Sequence, residues 1–298
     1  MPWLCDHLIQ LIIRPDYIPT KSDFYEHADL DNFICMLYGC PHLEWMRNNC
    51  HTAEYEKFTD YIEFQINNGY FVEPNLDNYY FEFSLCYKSY HLIHPTLIYG
   101  YDNERKIVYV SDFYNHGRYI RKEISYDEIN RSMKNDYIMN IYKYQDAEYQ
   151  FNHKLMNLYL RDYLNAKDSS MRFEQSYQKY NHNVIFGIEV YDYIINKMCD
   201  NDELDIRPFH VLYDHKELMQ LRLSFLNDYP EYYKKLEGLL VLNEEVRRDA
   251  LHLRNLVLKY NISHDKHLLE SIKSRCLELK KKDINLISEI LLVTENLK

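Results

Sequence analysis

Glycine and proline are scarce in this chain, whose 298 residues include 6 glycines and 8 prolines. Because both residues interrupt helices and strands, their scarcity favours long regular elements over a loop-rich fold. No apolar run reaches the roughly 18 to 20 residues that a membrane-spanning helix needs. The opening MPWLCDHL lacks the charged start and long apolar stretch of a signal peptide. We therefore expect a cytoplasmic protein that does not act on a membrane.

Positive charge is also in short supply. Lys and Arg number 35 against 46 Asp and Glu, so the formal net charge is −11. Binding to nucleic acid requires clustered Lys and Arg that release counterions from phosphates, and the chain has no basic stripe interleaved with aromatic residues. An anionic membrane surface would repel such a chain. The composition therefore predicts no nucleic-acid partner.

The motifs of metal, nucleotide and serine-hydrolase sites are missing. The sequence contains no CxxC or HExxH, no GxGxxG or GxxxxGK[ST], and no GxSxG. We therefore predict neither a metal site nor a nucleotide cofactor. The number of cysteines is odd, which predicts free thiols in a chain too large to need disulfides: Cys5, Cys35, Cys40, Cys50, Cys86, Cys199 and Cys276.

The chain divides into two halves of different pattern. Between about residue 60 and residue 122 the residues are typical of strands and turns, whereas after about residue 145 they are typical of helices. We predict an α+β domain over residues 1–145 and an all-helical domain over residues 146–298.

Turn residues delimit the elements of the first half. A helix is predicted to end at Asn68 and Gly69, since glycine readily adopts the left-handed C-cap conformation, and a strand follows over 70–72. Two β-rich runs, 96–101 and 106–113, flank Asp102 and Asn103. These runs predict an antiparallel hairpin.

The second half shows apolar residues at spacings of three and four, which predicts four or five amphipathic helices. In the segment 215–226 the spacing predicts one apolar face and separate polar faces: Leu218, Leu221 and Phe225 on the first, Lys216, Gln220 and Arg222 on the others.

His94 and Asp112 lie on the two arms of the predicted hairpin. An imidazole oriented by a carboxylate is the base that a cysteine nucleophile needs. A three-residue loop or a bulge would place both side chains on one face of the hairpin, whereas a two- or four-residue loop would place them on opposite faces. The alternative interpretation is a histidine at a strand end and a solvated aspartate.

Cys5 is the favoured nucleophile. It lies just ahead of an apolar run and is expected at a helix N-terminus, where the helix dipole and free N–H groups lower the pKa of a thiol. Cys35 falls within a short predicted helix and is the alternative, with packing as its ordinary role. Cys40 precedes Pro41 in a predicted turn.

Several segments together resemble a bacterial papain-like family, the butirosin biosynthesis protein H-like group. The chain is also similar to the cysteine-protease-like amide synthetases of polythioamide (closthioamide) assembly. The resemblance covers nearly the whole chain and is strongest after His94. Its segments are Pro2-Trp3-Leu4, Ile9-Gln10-Leu11, Cys40-Pro41-His42-Leu43, Gly69-Tyr70-Phe71-Val72 with Asp77, Leu97-Ile98-Tyr99-Gly100-Tyr101-Asp102, Gly187–Tyr191, Asp214–Glu217 and Arg222-Leu223.

The resemblance implies a papain-like fold with an antiparallel sheet and a helical C-terminal region. It also implies a catalytic triad of Cys5, His94 and Asp112 that forms amide bonds in antibiotic biosynthesis. The acyl group would arrive as a thioester on the phosphopantetheine arm of an acyl or peptidyl carrier protein, and the acceptor would be a small amine. Phosphopantetheine is then part of the substrate, and no bound cofactor is implied.

Papain-like enzymes usually complete the oxyanion hole with a glutamine upstream of the cysteine, whereas Gln10 follows Cys5. An acidic carrier protein would need a basic docking patch, for which Lys216, Arg222, Arg247 and Arg248 are candidates. The alternative functions are a cysteine peptidase or amidase that uses water as acceptor, and a non-catalytic interaction protein of an assembly line. A homodimer is one alternative for the oligomeric state.

Overall fold

The computed structural model describes residues 2–7, 9–13, 28–30, 40–50, 55, 57–114, 118–133, 137–169, 184–198 and 203–295. Their fold is mixed, with antiparallel sheets and a helical C-terminal part, as the sequence predicts. In chain order the elements are α1 (Pro2–Asp6), β1 (Leu11–Ile13), β2 (Ala28–Leu30), β3 (Leu43–Cys50), α2 (Phe58–Asn67), β4 (Phe71–Glu73), β5 (Asn75–Asp77), β6 (Ile93–Pro95), β7 (Leu97–Asp102), β8 (Ile107–Tyr114), β9 (Arg118–Ser125), α3 (Tyr126–Ser132), β10 (Tyr137–Tyr144), α4 (His153–Leu164), β11 (Ile185–Phe186), α5 (Val190–Lys197), α6 (Arg207–Asn227), α7 (Glu237–Ser263) and α8 (His267–Glu295).

The chain forms two compact units. The sheet unit comprises Leu37–Glu148, and the helical unit comprises Met1–Met36 together with Tyr149–Lys298. The predicted boundary at residue 145 lies close to the second junction, but the predicted first domain included the N-terminal segment, which groups with the helices. The physical reason is apolar burial, since Ile9, Leu11 and Ile13 are fully buried in the core that the helices form.

The sheet unit contains a six-stranded antiparallel sheet in the order β3-β10-β4-β7-β8-β9 and a two-stranded ribbon of β5 and β6. Helix α2 ends as predicted, because Asn68 caps it and Gly69 follows with a φ of +83°. The predicted hairpin is confirmed as β7 and β8. One face of the sheet carries the apolar core of the unit, which includes Ile62, Val72, Leu76, Ile98, Val108, Val110, Ile124 and Ile141.

The helical unit contains a small antiparallel sheet in the order β11-β1-β2 and the helices from α4 to α8. The five α-helices described after residue 145 agree with the predicted four or five. The long C-terminal run divides into α7 and α8, with His264 in the left-handed conformation after α7. Gly187 follows β11 with a φ of +55°, and a Cβ there would lie 2.1 Å from the carbonyl oxygen of Tyr163. Only glycine fits this contact.

The predicted faces of α6 are wrong. Leu221 is 47% exposed, whereas Lys216 and Arg222 are fully buried. Apolar spacing assigned the charged residues to the surface, but their charged groups have partners inside the unit. No helix within the described part of the chain has the length and apolar character that crossing a membrane requires.

Candidate active site

His94 and Asp112 are in direct contact within the sheet unit. The Nδ1 atom of His94 lies 2.8 Å from Oδ2 of Asp112. The Asp112 side chain is 5% exposed, while the His94 side chain is 40% exposed. The pair therefore combines a buried carboxylate with an imidazole that solvent and ligands can reach.

A β-bulge aligns the two residues. The hairpin loop has four residues, 103–106, and a regular ladder from such a loop would place His94 and Asp112 on opposite faces. The register shifts by one residue between Ile98 and Gly100, which restores the same face. This outcome corresponds to the bulged alternative that the sequence left open.

Three donors surround the carboxylate of Asp112. Besides the contact from His94, Thr96 Oγ1 donates to Oδ2 at 3.1 Å, and the backbone N–H of Phe113 donates to Oδ1 at 2.6 Å. A carboxylate accepts hydrogen bonds only, so the His94 proton must lie on Nδ1 and the lone pair of the neutral ring on Nε2. The pair thus has the tautomer of a general base.

Tyr114 extends this network. Its hydroxyl oxygen lies 3.3 Å from Thr96 Oγ1, and burial raises the pKa of Tyr114 well above its usual range. The hydroxyl therefore remains protonated, and it donates to Thr96, whose own proton goes to Asp112. The chain of donors from Tyr114 through Thr96 holds the carboxylate in one orientation.

Cys5 belongs to the helical unit, so the residues of the predicted triad are divided between the two units. It is the fourth residue of the five-residue helix α1, and it is 2% exposed. Burial raises the pKa of the Cys5 thiol, and the positive charge of Arg222 opposes that rise. The expected lowering of this pKa by a helix N-terminus is therefore wrong, because α1 is too short and Cys5 lies near its C-terminal end.

Arg222 holds the segment around Cys5. Its Nε donates to the carbonyl of Cys5 at 2.6 Å and its Nη2 to the carbonyl of His7 at 2.8 Å. Burial lowers the pKa of Arg222 to about 10, while Cys5 and Asp6 oppose the shift. Arg222 therefore has a structural role inside the unit.

The predicted basic docking patch is wrong. Lys216 and Arg222 are fully buried. Arg247 forms ion pairs with Glu217 and Glu244, at 2.5 Å and 2.8 Å. Of the four residues, Arg248 has the weakest ion pair and the most exposed side chain, with 3.8 Å to a Glu244 oxygen and 60% exposure. The four cations do not form one accessible surface.

The remaining sequence candidates give no further site residue. Cys35 lies outside the described residues. Cys40 is half-buried and Cys86 is buried, both as free thiols. Gln10 is fully buried, and its amide donates to the carbonyl of Lys167 and the hydroxyl of Ser169, both at 2.8 Å. Its amide donors are therefore used inside the helical unit and do not form an oxyanion hole.

Sequence reasoning missed a histidine–carboxylate pair next to the ribbon of β5 and β6. Nδ1 of His91 lies 2.6 Å from Oδ2 of Asp77. The pairing of β5 with β6 brings these two residues together. No turn motif in the sequence predicted that ribbon. Among the residues that the structure describes, no three His, Cys, Asp or Glu side chains are grouped to hold a metal ion.

The site can thus supply an oriented imidazole base on an antiparallel sheet, which suits proton transfer during acyl transfer. The residues that carry it are His94, Asp112, Thr96 and Tyr114. No family model matches this chain, and no curated protein matches it significantly.

Proposed function

We propose that this protein is an amide-bond-forming acyltransferase with a papain-like fold and a helical C-terminal region. His94 acts as the base, Asp112 orients it and Cys5 is the nucleophile. The acyl donor is a thioester on a carrier protein, and the acceptor is an amine. The observation that carries the proposal is the 2.8 Å contact between His94 Nδ1 and the buried carboxylate of Asp112.

In the first half of the reaction, Nε2 of His94 takes the proton of the Cys5 thiol. The thiolate attacks the carbonyl carbon of the thioester, and an oxyanion forms. When the carbon–sulfur bond to the carrier breaks, His94 returns the proton to the departing phosphopantetheine thiol. An acyl group is then bound to Cys5 through a new thioester.

In the second half, the amine attacks the acyl-enzyme. His94 takes the proton that the amine loses, and it returns that proton to the Cys5 sulfur as the carbon–sulfur bond breaks. Exchange of one thioester for another is nearly thermoneutral, whereas amide formation is downhill. The reaction therefore needs no ATP, provided that water is kept from the acyl-enzyme.

Intact mass spectrometry tests the nucleophile. The full chain is mixed with a carrier protein that is loaded with a short acyl group, and the mass of the chain is recorded before and after an amine is added. We expect one added acyl group on the wild type, none on Cys5→Ala, and loss of the adduct with amide formation when the amine is present. Cys276→Ala is the matched control, because Cys276 is also a buried thiol of the helical unit.

Other outcomes lead to different assignments. An adduct that persists in Cys5→Ala moves the nucleophile to Cys35 or another thiol. Release of free acid in the presence of amine supports the cysteine peptidase or amidase alternative. Formation of the adduct at the wild-type rate in His94→Gln contradicts the role of the histidine.

One observation favours a second candidate function. Cys5 is 2% exposed, and burial raises its thiol pKa, which are properties of a structural cysteine. The second candidate is a non-catalytic interaction protein of a carrier-protein assembly line. In a reconstituted pathway, unchanged product formation with Cys5→Ala would support it and contradict the acyltransferase.

A further inference from the structure

The pair of Asp77 and His91 has the geometry of a reactive imidazole. The Asp77 side chain is fully buried, while 56% of the His91 side chain is exposed. Oδ2 of Asp77 contacts Nδ1 of His91 at 2.6 Å, and Oδ1 accepts the backbone N–H of Tyr79 at 3.1 Å. Since both carboxylate oxygens accept, the imidazole proton lies on Nδ1 and the lone pair on Nε2.

The surrounding chain holds the His91 ring in one orientation. The ring stacks on Tyr79 with a centroid distance of 4.3 Å and an interplanar angle of 22°. The backbone N–H of Lys88 donates to the carbonyl of Tyr79 at 3.0 Å, and that of Asn78 donates to the carbonyl of Leu92 at 2.8 Å. A fixed ring loses little freedom when it reacts, which is a requirement for efficient catalysis.

This pair is separate from His94. In the ribbon of β5 and β6, Leu76 lies opposite His94 and Asp77 lies opposite Ile93. Because neighbouring positions of a strand face opposite sides, Asp77 and Ile93 share one side of the ribbon and His94 faces the other. His91, which precedes β6, is placed with Asp77 by its contact with that carboxylate. His91 therefore cannot assist His94 at one reacting atom, and any chemistry at His91 goes beyond the function proposed for the His94 site.

Accepting the N–H of Tyr79 requires only an oxygen, which Asn or Ser would also supply. A buried carboxylate has a large desolvation cost. What the carboxylate adds is a fixed imidazole tautomer, with the Nδ1 proton directed at Asp77 and the Nε2 lone pair directed away from it.

Three apolar side chains within six residues of His91 along the chain are exposed. Ile93, on the same side of the ribbon, is 42% exposed, and Leu85 and Tyr90 of the preceding segment are 60% and 55% exposed. We propose that His91 is a second acyl-accepting imidazole, which reacts with activated esters or thioesters that carry a short apolar acyl chain. The apolar side chains would contact the acyl chain, and Nε2 would attack its carbonyl carbon.

The chemistry balances with water as the sole co-reactant. The lone pair of Nε2 forms a bond to the acyl carbon, and the bond from that carbon to the leaving oxygen or sulfur breaks with its electron pair. Asp77 neutralises the positive charge of the acylated ring through the Nδ1 proton. Water then adds to the acyl carbon, the carbon–nitrogen bond breaks with its electron pair returning to Nε2, and the carboxylic acid leaves. The second proton of the water passes through Nε2 to the departed oxygen or sulfur, which restores the neutral imidazole.

Hydrolysis of 4-nitrophenyl butyrate by the full chain tests the proposal, with release of 4-nitrophenolate as the readout. We expect His91→Gln to lower the rate by about tenfold or more, and Asp77→Asn, which keeps an acceptor for Tyr79, to lower it similarly. His264→Gln is the matched control, because His264 is an exposed histidine at the end of α7. That variant should react at the wild-type rate.

Cys5→Ala and His94→Gln distinguish this site from the proposed acyltransferase site. If those two variants lose the hydrolysis while His91→Gln retains it, the turnover belongs to the acyltransferase site and the inference about His91 is overturned. Wild-type rates in His91→Gln alone overturn it as well. A second readout does not depend on turnover: diethyl pyrocarbonate should modify His91 faster than His264, and Asp77→Asn should abolish the difference. Equal rates of modification in the wild type would also overturn the inference.

Discussion

Two buried carboxylates of the sheet unit, Asp112 and Asp77, have partners of a different kind from that of Asp283 in the helical unit. In the sheet unit, Asp112 and Asp77 are buried beneath histidines that are 40% and 56% exposed. In the helical unit, Asp283 contacts Lys216 at 2.5 Å, and both side chains are fully buried. A half-exposed pair can exchange a proton with a ligand, whereas a fully buried pair can only stabilise the fold.

The buried pair of the helical unit is part of a larger network. Tyr163 and Tyr191 donate to the same oxygen of Asp283, at 2.5 Å and 3.0 Å. Burial opposes ionisation of Asp283, but the charge of Lys216, the neighbouring His215 and the hydrogen bonds from Lys216 and Tyr163 together keep the pKa of Asp283 below its usual range. This network therefore links α4, α5, α6 and α8 and stabilises their packing.

The same network anchors the N-terminal segment. Lys216 donates to Nδ1 of His215 at 2.8 Å, and Nε2 of His215 donates to the carbonyl of Ile9 at 2.7 Å. Arg222, on the same helix, binds the carbonyls of Cys5 and His7. Lys216 and Arg222 of the helical unit thus position a backbone, while Asp112 and Asp77 of the sheet unit orient imidazoles.

The largest expected effect concerns function in the sheet unit. Asp112→Asn should slow amide formation by about 10³- to 10⁴-fold, or ~4 to 5 kcal/mol, because the amide favours the wrong tautomer of His94. The free energy of unfolding should fall by only about 1 kcal/mol. Single-turnover rates and urea unfolding measure the two quantities. If Asp112→Asn formed amide at the wild-type rate, Asp112 would have no functional role in the sheet unit, and this difference between the two units would be lost.

The next effect concerns stability in the helical unit. Lys216→Met leaves the Asp283 carboxylate buried without its cation and should lower the free energy of unfolding by about 3 to 5 kcal/mol. Combining it with Asp283→Leu removes both charges and should recover most of that loss. Urea unfolding of the single and the double variant measures both free energies of unfolding. Equal stability of the single variant and the wild type would contradict the role assigned to the pair.

The helical unit should also respond to acid through His215. Burial, followed by the charge of Lys216, lowers the pKa of His215 from 6.5 to about 3. Unfolded chains bind a proton below pH 6.5 and the folded chain does not, so the contribution of a neutral His215 is complete above pH 6.5 and is lost as the pH falls toward 3. We expect a loss of about 3 kcal/mol between pH 6.5 and pH 4.

Urea unfolding at several pH values tests this expectation. His215→Gln should flatten the dependence in that window, whereas His264→Gln should leave it unchanged because His264 is exposed. The same slope in the wild type and in His215→Gln would show that the buried histidine contributes nothing to acid sensitivity.

The smallest effect concerns the support of Asp112. Thr96→Val keeps the shape but removes the hydroxyl that donates to Asp112 and accepts from Tyr114. We expect a loss of about 1 kcal/mol in the free energy of unfolding and a drop of about tenfold or less in amide formation. Tyr114→Phe removes one bond further from His94 and should have a smaller effect on the rate. A larger loss of rate in Tyr114→Phe than in Thr96→Val would contradict the chain of donors from Tyr114 through Thr96 to Asp112.

Local sequence signals predicted the local elements of this chain. The Asn68 and Gly69 pair ended α2, and the turn residues after Asp102 produced the hairpin of β7 and β8. The face of α6 was predicted wrongly, because apolar spacing takes no account of charges that find partners in the interior. Leu221 is consequently exposed and Arg222 buried.

The sequence by itself determined which residue types were available for chemistry and roughly where helices and strands would form, because capping, turns and periodicity act over a few residues. Tertiary structure decided the environment of each candidate. A one-residue bulge brought His94 and Asp112 onto one face, the ribbon of β5 and β6 joined His91 to Asp77, and burial raised the thiol pKa of Cys5. These outcomes depend on strand register and desolvation, which arise from residues distant in the chain and which no local pattern encodes.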